Sequence, residues 1–137
     1  MFERLDALGI NRNQVVLCGE MQGACVVLDY VARRGGHYAG VIALGGTLLG
    51  PLRSAIHHDG PMRGVPVILG GAHDDPWVPR SRVEATAEVL TALGAEAKVL
   101  WFHAPRPELD VDVINAVREM FGKRPKGERS ERLERGR

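Results

Sequence analysis

Val15-Val16-Leu17-Cys18-Gly19-Glu20-Met21-Gln22-Gly23-Ala24-Cys25 is the stretch whose reading decides the fold. An apolar run rich in β-branched residues stops at Gly19, turns through Glu20 and Met21, and restarts after Gly23 with helical spacing. That is a strand, a tight glycine-flanked turn and a helix start.

Outward from it, three more short apolar runs follow the first, which spans Gln14 to Cys18: Gly40 to Leu44, Val65 to Gly70 and Lys98 to Phe102. All are near-continuously hydrophobic rather than alternating, the pattern of strands buried on both faces of a parallel sheet.

Helical patterns lie between them. In Gln22–Arg34, residues Ala24, Leu28, Val31 and Ala32 share one side, Asp29 and Arg33 form an i,i+4 pair, and Gly35-Gly36 ends the helix. A second helix is predicted from Arg80 to Leu93, with Val83, Ala87, Leu90 and Leu93 inward, Pro79 at its start and Gly94 at its stop. A third runs from Glu108 to Phe121, with Val113, Ile114, Val117 and Phe121 inward and Glu108, Asp110 and Asp112 at its N-terminal end. The order β-α-β-loop-β-α-β-α predicts an α/β fold of about four parallel strands with covering helices. Pro51 to Gly64 is read as the loop.

Composition narrows the class. With 137 residues, 45% hydrophobic and 26% charged, the chain reads as one soluble domain. The uncharged run Ala39 to Leu52 is broken by glycines and Pro51, so no membrane span is expected. Met1 to Asp6 lacks a secretory signal and looks like amphipathic helix, which makes the cytoplasm the expected compartment. Cys18 and Cys25 fit no paired framework and read as buried thiols. Seven basic residues fall from Lys123 onward against three glutamates, while the preceding body carries about −3, so no nucleic-acid-binding face is expected. Residues 1–121 form the expected domain and 122–137 a charged, disordered tail.

The quoted stretch resembles the nucleophile elbow Gly-Phe-Ser-Gln-Gly-Ala-Cys of the phospholipase/carboxylesterase family of α/β-hydrolases, in which a serine occupies the strained apex. The resemblance extends to Val41 through Pro51, similar to the family's next strand and its Ser-Gly-x-Leu-x-Gly-Pro turn, with Gly45 at the serine position. Val65 through Pro79 is similar to the strand and Asp-Pro-x-Val-Pro loop that carry the triad aspartate, which places that residue at Asp75. The loop His103-Ala104-Pro105-Arg106-Pro107 stands where the family keeps Tyr-Pro-Gly-x-Gly-His, and Pro107 falls at the histidine position.

Members of this family are implied to cleave carboxylic esters and acyl thioesters without a cofactor. The resemblance implies that the chain corresponds to the C-terminal half of such a hydrolase, the remnant of a three-layer α/β/α fold. The chemistry needs a hydroxyl activated by an imidazole that a carboxylate orients. Met21, a thioether with no proton to lose, stands at the nucleophile position, and Pro107 at the base. Gln22 supplies one backbone oxyanion donor; the second is expected from a loop upstream of Met1. Cys18 and Cys25 flank the apex rather than occupy it, and His103 is a stand-in base with nothing to activate.

Three readings follow: a degenerate hydrolase inactive alone, a pseudoenzyme holding an acyl ligand around Met21, Leu48, Trp77 and His103, and a hydrolase active only when another chain complements it. An unpaired edge at Gln14–Cys18 predicts a homo-oligomer or a complementary chain. His57-His58-Asp59 and His73-Asp74-Asp75 contain metal-ligand residue types but read as polar loops, so neither metal nor cofactor is expected.

Overall fold

The computed structural model describes residues 1–50, 60–103 and 111–122. Pro107, the His57-His58-Asp59 group, the start of the third helical pattern and the charged tail all lie outside the described residues.

The elements are α1 (Phe2–Ala7), a 3-10 turn at Arg12–Gln14, β1 (Val16–Glu20), α2 (Gln22–Arg34), β2 (Gly40–Leu44), β3 (Pro66–Ala72), α3 (Arg80–Ala92), β4 (Glu96–Phe102) and α4 (Val111–Gly122). The strands form one sheet in the order β1-β2-β3-β4, every neighbouring pair parallel. The α/β architecture expected from the alternation is therefore present.

Strand limits differ from the apolar runs where local chemistry competes. Gln14, expected to open the first strand, instead accepts the Asn11 N–H on its side-chain oxygen at 2.9 Å and closes a turn. The strand starts two residues later and runs through Glu20. β3 and β4 each extend beyond their apolar runs, because the parallel ladder pairs Pro66 with Glu96 at one end and Ala72 with Phe102 at the other.

Side chains alternate across the sheet and sort the core into two layers. Leu17, Val41, Ala43, Val67 and Leu69 pack under Ala24, Leu28 and Val31 of α2 and Val83 and Leu90 of α3. Ile42, Leu44, Ile68 and Phe102 point the other way and meet Val113, Ala116 and Met120 of α4. Each fully buried leucine, such as Leu28, Leu69 or Leu90, contributes roughly 1.5–3 kcal/mol by leaving water. The inward residues expected for α2 are all buried, and Arg33 Nε reaches Asp29 Oδ2 at 2.7 Å.

α4 corrects the reading of its pattern. Val113 is buried, but Ile114 and Phe121 are each 42% exposed, and Ala116 and Met120 turn inward instead. The apolar arc of this helix is wider than one interface, and the sheet selects the part that fits. Gly40 provides the recess: a Cβ there would collide with Met120 Sδ.

Cys18 is a second correction. It is exposed, not buried, because it lies on the α4 side of β1, where α4 does not reach. None of the described helices is long and apolar enough to cross a membrane.

Candidate functional site

Every parallel strand delivers its C-terminal end to the same rim, and the segments singled out in the sequence leave from that rim. The first is the elbow. Met21 has φ 52° and ψ −116°, and among the described residues no other non-glycine has positive φ. Its N–H donates to Leu44 O at 2.8 Å, and its carbonyl accepts the Cys25 N–H at 3.2 Å. The backbone thus holds a residue at a strained apex between β1 and α2.

Close packing explains why the turn requires particular glycines. A Cβ on Gly19 would collide with the backbone of Gly23, and one on Gly46 would meet Ala24 Cβ at 2.6 Å and Met21 O at 2.8 Å. Gly23, by contrast, has open space where a Cβ would go. The motif suggests that crowding demands both elbow glycines; the packing demands Gly19 on the strand and Gly46 on the adjoining turn.

Met21 itself is 38% exposed and carries no hydroxyl, thiol or imidazole. Gln22 heads α2, where the first N–H groups have no partner within the helix. Cys18 projects from the sheet face toward α4, and Cys25 is half-buried in the first turn of α2. Neither takes the apex.

Asp75 follows β3. Its Oδ1 accepts the N–H groups of Trp77 at 2.8 Å and Val78 at 3.1 Å, so the carboxylate fixes the turn that leads into α3. His103, the stand-in base, follows β4 and stacks on His73 with ring centroids 4.9 Å apart. β4 lies three strands from β1, or about 14 Å at the usual spacing of parallel strands.

The residues expected to line an acyl pocket are not equivalent. Leu48 is fully buried in the core, whereas Trp77 is 84% exposed and His103 is also exposed. A cavity of about 610 Å³ lies elsewhere, among Tyr38, Pro66, Glu96, Lys98 and Met120 at the opposite end of the strands.

The apolar pattern gave no sign of one feature that braces this rim. Thr86, fully buried in α3, accepts the Leu48 N–H at 3.2 Å and donates to Arg82 O at 2.8 Å. Arg82 in turn donates through Nη2 to the carbonyls of Leu48 and Gly50, each at 2.9 Å. Together they clamp the Thr47–Gly50 segment beside the elbow. A polar residue and a cation at inward helix spacing were the signal available. Among the described residues, no three potential ligands gather around a metal position.

This geometry has close counterparts. The family model of phospholipases and carboxylesterases matches residues 3–123. The structure of a phospholipase/carboxylesterase from Dyadobacter fermentans is 31% identical, with a TM-score of 0.79 over 89% of this chain and 58% of its own. The Bacillus cereus carboxylesterase (17% identity, TM-score 0.71, 89% and 55%) and Arabidopsis thaliana SOBER1 (17%, 0.65, 88% and 58%) share the fold. No curated protein matches. The chain spans a little over half the length of these structures. With the family model covering most of the chain and the elbow, the Asp75 turn and the parallel sheet all in place, the chain belongs to the phospholipase/carboxylesterase family of α/β-hydrolases.

Proposed function

We propose that this chain is a degenerate carboxylesterase-type hydrolase unit that does not turn over esters by itself. The observation that carries the reading is Met21 at the strained apex, where ester hydrolysis requires a group that can lose a proton and attack a carbonyl. A thioether cannot form an acyl-enzyme that water then releases. Pro107 at the histidine position, implied by the resemblance, removes the base as well.

The alternative of an acyl-binding pseudoenzyme receives less support, since Leu48 is sealed in the core while Trp77 stands in solvent. The alternative of a hydrolase completed in trans is supported by the retained oxyanion-side backbone at Gln22 and the Asp75 turn, but it requires a nucleophile from elsewhere.

Purified chain assayed with short-chain p-nitrophenyl esters and acyl thioesters, and treated with a fluorophosphonate probe, tests the proposal. The expected result is turnover at the buffer rate and no labelling. Enzyme-dependent turnover that survives removal of contaminating esterases would overturn it.

A further inference from the structure

His73 and His103 lie side by side at the ends of neighbouring strands. The ladder between β3 and β4 pairs Ala72 with Phe102, so the residues that follow leave the two strands level with each other. Two positions back, Gly71 is opposite Trp101, and a Cβ on Gly71 would meet Trp101 and Val83 of α3. Alternation then puts both histidines on the α3 side of the sheet, where the His73 ring lies 5.8 Å from that of Trp101. The two imidazole centres are 4.9 Å apart with their planes 25° from parallel, and both residues are exposed.

That separation is the one two imidazoles adopt when they share a metal ion. With a metal–nitrogen distance of about 2.0–2.1 Å, each ring centre stands about 3.2 Å from the ion, and a ligand angle of about 90–109° puts the centres about 4.5–5.2 Å apart. Turning the rings about their Cβ–Cγ bonds is enough to aim one nitrogen of each at a shared point, while the ladder holds the strands. Charge nearby does not oppose a cation. Asp74 and Asp75 follow His73, and Arg80, which lies over Trp101 at 4.6 Å, is paired with Glu84 at 2.8 Å. Imidazole also selects among cations: Mg²⁺ and Ca²⁺ prefer oxygen ligands, whereas Zn²⁺, Ni²⁺ and Cu²⁺ bind imidazole well.

We infer that His73 and His103 form a binding site for a divalent transition-metal ion of this second group. Water completes the coordination, since among the described residues no third histidine, cysteine or carboxylate joins the pair. The ion cross-links the ends of β3 and β4 and so ties the Asp75 turn to the far end of β4. The site uses neither Met21 nor Pro107, so it stands apart from the reading of the chain as an inactive hydrolase.

The test uses the full, untagged chain carrying Cys18→Ser, which removes an exposed thiol, and Trp77→Phe, which leaves Trp101 to report alone. Titration with Ni²⁺, a paramagnetic quencher, should lower Trp101 emission to a plateau at one equivalent, and Zn²⁺ should restore it by competition. His73→Gln and His103→Gln should each weaken Ni²⁺ binding at least tenfold, and the double variant should lose less than the product of the two, because the rings act as one site. Saturating Zn²⁺ should raise the Tm of the parent and of neither histidine variant. Both positions are exposed, so the metal-free variants should unfold at the parent's temperature, which separates loss of the site from loss of the fold. His57→Gln with His58→Gln should leave binding unchanged. Full Ni²⁺ affinity in either the His73 or the His103 variant, an equal loss in the His57/His58 variant, or no quenching at millimolar metal would each overturn the inference.

Discussion

Replacing Met21 by alanine and, separately, by glycine isolates the strain of the elbow from the packing of the side chain. Both variants remove the methionine side chain, which is 38% exposed and so contributes only part of the usual burial energy. They differ in one respect: alanine must hold φ 52° and ψ −116° with a Cβ, and glycine need not. A non-glycine residue in such a region costs about 1–3 kcal/mol. Against that, glycine gives the unfolded chain more freedom, which costs about 0.5–1 kcal/mol. The difference leaves the glycine variant more stable than the alanine variant by about 1 kcal/mol, a rise in Tm of roughly 3–6 °C for a chain of this size. At Glu88, an exposed position within α3, the same pair should invert, with glycine less stable by about 1 kcal/mol. Urea and thermal unfolding of the four variants measure both differences. An alanine variant at position 21 as stable as the glycine variant would refute the claim that the apex stores strain.

Gly19→Ala should destabilise by about 3 kcal/mol or abolish folding, because its Cβ would collide with the Gly23 backbone, whereas Gly23→Ala should stay within about 0.5 kcal/mol of the parent. Expression and urea melts of the pair decide this. Thr86→Val should cost about 1–3 kcal/mol by leaving the buried Leu48 N–H without its acceptor, and Thr86→Ser should recover most of the loss; equal stability of the valine and serine variants would count against the clamp. Met21→Ser combined with Pro107→His should remain inactive toward p-nitrophenyl esters, since the two substitutions supply a nucleophile and a base but no second oxyanion donor. A rate typical of esterases from that double variant would show that a second donor is dispensable.

The strand-turn-helix at the elbow, the parallel order and the inward face of α2 are legible in the chain before it folds. They follow from features local in sequence: β-branched runs, glycine punctuation and a 3.6-residue period. Met21 stands at the positive-φ turn between β1 and α2, and Asp75 orders the loop after β3 through its carboxylate. Other features depend on partners distant in sequence and emerge only on packing. Which arc of α4 is buried was settled by the recess at Gly40, some 80 residues earlier, not by the helix's own period. Whether Cys18 is covered depends on how far α4 reaches across the sheet, and whether Gly23 is crowded depends on what surrounds it in space. The Thr86–Arg82 clamp joins α3 to a turn 32 to 38 residues away, and a polar pair at helical spacing reads as surface until that turn is folded onto it. Periodicity specifies an element and its direction along the chain, but the face it buries is chosen by the shape of what it meets.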